Sequence, residues 1–379
     1  MDTSARNFLL VAGEVSGDHH GAPVIAAMKD LAPASSFWGL GGDHMLAEGF
    51  DALHHVKDLS VTGFIEVIKH LSYFRQVMSE LVAACTERPP DAAILIDYPG
   101  FNLRLGVKLK ALGIPVYYYI SPQVWAWKKG RIKTMRTFIR RIFVIFPFEE
   151  QFYQEHDIPV TFTGHPLVEK TFPITARDTF FKDHGLNPEK PLIALLPGSR
   201  RNELERLTDP LVDAIKRLKA QHLDLQFLVA GLSSLSDGYY QPFEYLDDVA
   251  VVKDDTYSLA AHADAAIVAS GTASLEVAFL GTPLVVVYRI APLSYIIGKI
   301  LVDIDHLAMP NLILGERAIP ELIQGEANGK AISGAIDTLL RDRSTRTTMI
   351  NKLETLKDLL GKPGCARSVA TTIHEEIQN

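Results

Sequence analysis

Two glycine-containing turns in this sequence could hold phosphate, and a nearby carboxylate could hold a sugar diol. Ser270-Gly271-Thr272 joins a short apolar run, residues 265–269, to a helical pattern. The first amides of a helix lack intrahelical partners, and with the positive end of the helix dipole they suit an anion. Glu276 follows Thr272 by four residues, so it lies about one turn on and on the same helix face. A carboxylate there can accept two hydrogen bonds from a vicinal diol such as a ribose. Gly198-Ser199-Arg200-Arg201 follows another apolar run, residues 192–196. Its glycine and serine allow close backbone approach, and its arginines offer forked donors to phosphate oxygens. Phosphate anchor plus diol anchor points to a nucleotide. The alternative is an ordinary βαβ unit with Glu276 in solvent.

The first half of the chain carries groups of a different kind. Asp97 ends the fully apolar run 92–96, and Glu14, Asp18 and His19 sit in the glycine-rich link that follows the run 7–12. The carboxyl end of a buried strand is where α/β enzymes place working groups. Glu14, Asp18 and His19 are therefore candidates for catalysis. The structural alternatives are a helix-capping carboxylate for Asp97 and an N-cap for Asp18. Gly39-Leu40-Gly41-Gly42 is not a dinucleotide fingerprint and reads as a tight turn.

These residues need elements to hold them. A chain of 379 residues exceeds one typical core, so two domains are expected. Hydrophobic content of 47% and charged content of 22% are those of a soluble globular protein. The net charge of −7 argues against bulk nucleic-acid binding. Cys85 and Cys365 form no metal motif and suit a reducing compartment. The first apolar run is too short for a signal segment or a membrane span, so the chain reads as cytoplasmic.

Buried strands are expected at 7–12, 92–96, 115–120, 142–146 and 160–163, with Gly164-His165-Pro166 as a hinge. A second α/β series follows, with strands at 192–196, 225–230, 249–252, 265–269 and 283–288. Asp209-Pro210 reads as the N-cap and first residue of a helix. Residues 61–78 show helical apolar spacing that is either core packing or a surface dipping into a bilayer. Trp125 and Trp127 precede a run of lysines and arginines from Lys128 to Arg141, either a solvated helix face or a site near anionic headgroups or a phosphorylated substrate. A long apolar helix near 295–302 is too short and interrupted to span a bilayer, and Glu321 and Gln324 follow on a short segment. From about Ala331 the chain reads as helical to its end, broken at 361–364.

The segments AGEVSGD (12–18), IDYPGFN (96–102), SPQVWAWKKGR (121–131), LPGSRRNE (196–203), SGTASLE (270–276) and MPNLI (309–313) together resemble lipid-A-disaccharide synthase, in the family's order. The resemblance implies an α/β fold of two Rossmann-like domains facing a cleft, the GT-B arrangement. It assigns residues 1–165 to the acceptor and 166–345 to the UDP-sugar, with helices from about 346 to 379 able to pack back on the first. It implies an inverting transfer of 2,3-diacylglucosamine from UDP-2,3-diacylglucosamine to 2,3-diacylglucosamine 1-phosphate, giving a β-1,6 disaccharide and UDP, without cofactor or metal. The acceptor's acyl chains imply peripheral contact with the cytoplasmic leaflet of the inner membrane, through 61–74 aided by 128–141, and a homodimer is left open.

On this reading Gly198, Ser199, Arg200, Ser270, Gly271 and Thr272 surround the diphosphate, and Glu276 holds the ribose. Asn311 joins them by resemblance and Gln324 by position. Asp97 is the expected base, Glu14 orients the acceptor, and His19 is the competing base. The His19-His20 pair departs from the family pattern. The rival readings are a UDP-sugar epimerase, or another UDP-sugar enzyme on the same scaffold, and a non-catalytic nucleotide-sugar binding protein.

Overall fold

The computed structural model describes residues 5–59, 66–126, 130–222, 224–292, 295, 296, 299 and 304–378, with the backbone alone for 66–71. The chain divides into two compact units, Met1–Glu169 with Leu360–Asn379, and Lys170–Leu359.

The first unit is built on a seven-stranded parallel sheet. Its strands are β1 (Asn7–Ala12), β2 (Ser36–Gly41), β3 (Asp51–His55), β4 (Ala92–Ile96), β5 (Val116–Tyr119), β6 (Ile139–Val144) and β7 (Val160–Phe162). The spatial order is β3-β2-β1-β4-β5-β6-β7. β4 is buried throughout because helices cover both faces, which is why it reads as an unbroken apolar run rather than an alternating one. The second unit carries six parallel strands, β8 (Leu192–Leu196), β9 (Gln226–Gly231), β10 (Val249–Lys253), β11 (Ala265–Ala269), β12 (Leu284–Tyr288) and β13 (Glu321–Ile323). Their order is β10-β9-β8-β11-β12-β13. In each sheet the strand order reverses once, between β1 and β4 and between β8 and β11. Ligands of doubly wound sheets bind outside the carboxyl ends of the strands at such a switch point.

Register decides which residues emerge there. Ala12 pairs with Ile96, so Gly13 and Asp97 leave the sheet side by side. Leu196 pairs with Val268, which brings Gly198 level with Ser270.

One expected helix start needs correction. Asp209-Pro210 does not start a helix. Both lie inside the helix Arg201–Gln221, whose buried stripe of Leu204, Leu207, Leu211, Ala214, Ile215 and Leu218 runs through that point and outweighs the hydrogen bond lost at proline. Pro99 opens the helix Pro99–Ala111, since proline at a first turn gives up only an amide that has no partner anyway. Gly164 is packed on the returning chain: the carbonyl of Lys362 would lie 3.0 Å from a Cβ there, and the His165 amide donates to the Leu360 carbonyl at 2.8 Å.

Of the chain beyond 346, the helix Arg343–Leu359 belongs to the second unit, where Met349, Leu353 and Leu356 are buried. The last helix, Cys365–Gln378, packs on Val15–Leu31 of the first unit. Glu169 starts that last helix by accepting from the amides of Gly364 and Cys365 at 2.8 and 2.6 Å. Within 61–78, residues 61–65 and the side chains of 66–71 lie outside the described residues, as do 127–129 and most of 293–303. Phe74 packs on the core of the first unit, against Tyr98 and Phe101.

Candidate active site

In the first unit the site grows from the ends of β1 and β4. Gly13 is required because any Cβ there would collide with the ring of Tyr98. Asp97 and Tyr98 take left-handed backbone angles, with φ of 44° and 47°. Ile120, just past β5, has φ of 62°. Non-glycine residues in this region cost about 1–3 kcal/mol each and collect at functional sites. Burial raises the Asp97 carboxyl to a pKa of about 6, with the nearby negative charge of Glu14 adding to it and a backbone hydrogen bond opposing it. The two carboxylates chosen from sequence are therefore electrostatic neighbours, Glu14 exposed and Asp97 half-buried.

The other acidic and imidazole groups of this loop have different partners. Asp18 is buried, and its carboxylate accepts from the amides of Gly42, His44 and Met45 at 2.8 to 3.0 Å. It thereby supplies the donors at the start of the helix Asp43–Ala47 with an acceptor from a neighbouring helix, and it is structural. The His19 ring stacks on His44, with centroids 3.8 Å apart. His20 is lowered to about 4 by burial and then by His19, and His165 to about 4 by burial and then by His20. Both are neutral near pH 7.

Beside β4 lies the loop after β5. Buried Glu149 accepts from Trp125 Nε1 at 3.1 Å and from the Phe146 amide at 3.2 Å. Burial pushes its carboxyl up to about 8, against the hydrogen bonds from Phe146, Trp125 and Ser121. Ser121 also bonds to the Tyr153 hydroxyl. In the basic run that follows, Arg140 and Arg141 pair with Glu376 of the last helix, and Arg136 with Asp157. These arginines fasten the fold as well as charging the surface.

In the second unit, Gly198 has φ of 114°, and a Cβ there would run into the Glu203 carboxylate. Glu203 accepts from the amides of Ser199 and Arg200 at 2.9 and 3.3 Å. The chain's own carboxylate thus fills the anion seat that the sequence offered to phosphate. The Arg200 side chain remains 82% exposed. Ser270-Gly271-Thr272 opens the helix Thr272–Leu280 with Gly271 as N-cap and no side chain capping it.

Glu276 is not in solvent. Lys170 Nζ donates to its Oε1 at 2.6 Å, and the Tyr257 hydroxyl donates to the same oxygen at 3.0 Å. Burial alone would depress the Lys170 ammonium, but its bonds to Glu276 and Tyr257 hold it above the ordinary lysine value. Both bonds use Oε1, and Oε2 takes part in neither. Sequence reasoning missed Lys170 and Tyr257, which are distant from Glu276 along the chain. It also missed Glu203, although the spacing of Glu203 from Arg200 is that of a reach-back cap.

Asn311, grouped with the donor residues by resemblance, lies in the short helix Met309–Leu314 before β13. It is fully buried, and its amide donates to the Ile319 carbonyl at 2.8 Å and to Glu321 Oε1 at 2.7 Å while accepting from the Ile319 amide at 2.9 Å. Every polar atom of its side chain is engaged, so it shapes a loop rather than facing a ligand. Gln324 follows β13 with φ of 54° and lines a cavity of about 550 Å³ with Tyr295, Asp305, His306, Arg317 and Glu326. Its Nε2 donates to the Ile290 carbonyl at 3.3 Å.

The family model for lipid-A-disaccharide synthetase matches residues 8–373. The chain belongs to the lipid-A-disaccharide synthase family. The lipid-A-disaccharide synthase of Geobacter sulfurreducens is 38% identical over 378 residues, covering 99% of this chain and 98% of that one. Among solved structures, the UDP-GlcNAc 2-epimerase of Neisseria meningitidis, bound to UDP-GlcNAc, superposes with a TM-score of 0.64 at 13% identity, covering 98% of this chain and 100% of that one. Medicago truncatula UGT71G1, complexed with UDP-glucose, gives 0.61 at 12% identity, covering 99% of each chain. At such identities the structures share the fold alone, an α/β fold of two Rossmann-like domains of the GT-B class. The match to the family model over residues 8–373 favours the synthase reading over the epimerase reading.

Proposed function

We propose that this chain is an inverting glycosyltransferase that joins 2,3-diacylglucosamine from UDP to 2,3-diacylglucosamine 1-phosphate. The 6-hydroxyl oxygen of the acceptor bonds to the anomeric carbon on the face opposite UDP. The anomeric C–O bond breaks, UDP leaves with the electron pair, and the hydroxyl proton passes to Asp97. The products are the β-1,6 disaccharide 1-phosphate and UDP. The observation that carries the reading is the carboxylate pair at the β1/β4 switch point. A carboxyl held at about 6, by burial first and Glu14 second, is mostly ionised at neutral pH yet more basic than a free aspartate. Those are the properties of a general base. Glu14, being exposed, orients the acceptor, and His19 is the competing base.

UDP occupies the second unit on this reading. The helix start at Ser270, Gly271 and Thr272 and the exposed Arg200 guanidinium meet the leaving diphosphate, with Gly198 and Ser199 forming the adjoining turn. Glu276 takes the ribose hydroxyls through Oε2, steadied by Lys170 and Tyr257, and Gln324 borders the same strand edge. Incubation with UDP-2,3-diacylglucosamine and the monosaccharide 1-phosphate should give the disaccharide by mass spectrometry. Isomerised UDP-sugar with no disaccharide would overturn the reading.

Acceptor chains held in a bilayer also call for contact with the cytoplasmic leaflet of the inner membrane. Among the described residues no helix is long and apolar enough to cross a membrane. The proposed contact is made through residues 61–74, Phe74 excepted because it packs on the core, aided by the cations of 128–141, whose attraction to anionic lipid is screened by salt. Flotation with anionic vesicles should weaken at high salt and in a Phe64→Ser, Ile68→Ser double variant. Equal flotation of both proteins would remove that surface from the proposal.

A further inference from the structure

The turn that presents Asp97 is held by two side chains that never reach its carboxylate. The Asp97 carbonyl accepts from the Tyr118 hydroxyl at 2.5 Å and from Asn102 Nδ2 at 2.8 Å. Asn102 Nδ2 also reaches the Ile96 carbonyl at 3.1 Å and the Val11 carbonyl at 3.4 Å. One amide group thus ties together the ends of β1 and β4. The Asp97 amide donates to the Tyr119 carbonyl at 2.9 Å, so both sides of the residue are fixed.

These bonds face a backbone that would otherwise relax. Asp97 and Tyr98 are successive non-glycine residues in the left-handed region, which an aspartate visits occasionally and a tyrosine rarely. Tyr118 and Asn102 are both buried, and the Oδ1 of Asn102 is buried with no hydrogen-bond partner among the described residues. An amide whose acceptor goes unsatisfied is a costly choice for a core position. Its donors are what the site uses.

We propose that Asn102 and Tyr118 are positioning residues that clamp the Asp97 carbonyl, hold the left-handed turn, and so aim the Asp97 carboxylate toward Glu14 at the carboxyl edge of the first sheet. The proposal rests on Asp97 being the base of the transfer reaction. Without the clamp the turn relaxes and the carboxylate swings away from its buried seat.

The test is Tyr118→Phe, which removes one oxygen, with Asn102→Leu as a harsher second variant. Losing one such bond corresponds to about a five- to tenfold fall in kcat. KM for both substrates and UDP affinity should stay within about twofold, because the effect lies on the reacting carboxylate rather than on binding. The acid limb of the kcat/KM profile should move to lower pH as Asp97 becomes more exposed. A population of misfolded enzyme would lower the amplitude and leave the limb in place. In an Asp97→Asn background, Tyr118→Phe should cost nothing further. Wild-type kcat in Tyr118→Phe, an unmoved acid limb, or the same loss in both backgrounds would overturn the clamp while leaving Asp97 as base. Wild-type kcat in Asp97→Asn alone would overturn the base assignment, and the clamp with it.

Discussion

The link between Glu276 and Lys170 separates ligand binding from fold. Glu276→Gln keeps a carbonyl oxygen that can sit where Oε1 does and still accept from Tyr257 and Lys170. It replaces Oε2 with a donor, which cannot accept from a ribose hydroxyl. A hydrogen bond to a charged group is worth about 1.5–3 kcal/mol, so UDP should bind roughly ten- to a hundredfold more weakly. Lys170→Met works differently. It removes the 2.6 Å bond to Oε1 and leaves Tyr257 alone to orient the carboxylate. Lys170 is 39% exposed and Glu276 16%, so solvent screens much of the pair. The stability loss should be about 1 kcal/mol or less. UDP affinity should fall by less than in Glu276→Gln, since Oε2 is intact. Calorimetric titration with UDP, beside thermal melts of each variant, measures both quantities. Unchanged UDP affinity in a folded Glu276→Gln variant would refute the ribose assignment. A larger affinity loss in Lys170→Met would transfer the ligand contact to the lysine.

Four further outcomes follow from the same geometry. Asp97→Asn should retain UDP affinity while kcat falls by about 10²–10⁴-fold, and Glu14→Gln should move the acid limb of kcat/KM to lower pH, because it removes a negative neighbour that helps hold the Asp97 carboxyl up; pH–rate profiles and single-turnover assays check both. Asp18→Ala strips the acceptor from three amides and should destabilise the first unit by about 3 kcal/mol or more, read by denaturant melts, with UDP binding to the second unit retained. Burial lifts Glu149 from 4.5 to about 8, so the folded protein holds a proton there that the unfolded chain releases; this contribution to stability is full below about pH 4.5 and is lost as pH rises through 8, and melts of Glu149→Gln beside wild type should show the wild type's advantage shrinking across that window.

The fold was legible because each strand buried on both faces spells itself out as an apolar run. β4, β8 and β11 coincide with runs read from sequence, and the residues just beyond them are the candidates for chemistry. Legibility ended where a partner came from elsewhere in the chain. Asp18 looked like a catalytic acid or a local N-cap, and it caps a helix more than twenty residues on. Pro210 looked like a helix start, because local proline preference is strong and the stripe that overrides it depends on packing. Asn311 carried a family motif but turned inward to Ile319 and Glu321. The left-handed pair Asp97 and Tyr98 could not be anticipated at all, since neither residue is glycine and the bonds that hold them come from Asn102 and Tyr118.

The two sheets share one scaffold, to which the proposed function gives two tasks. Both reverse strand order after their first strand, and both follow that strand with a glycine that admits a close neighbour: the ring of Tyr98 at Gly13, the carboxylate of Glu203 at Gly198. In the first sheet the neighbouring strand end offers Asp97 beside Glu14, so burial first and the like charge of Glu14 second raise that carboxyl to about 6. In the second, the neighbouring strand end offers backbone amides and a carboxylate already neutralised by Lys170. Raising a carboxyl suits proton transfer, whereas pairing one with an ammonium holds it in place as an acceptor. On the proposed function, the division between a reacting edge and a holding edge lies in which charge each carboxylate meets.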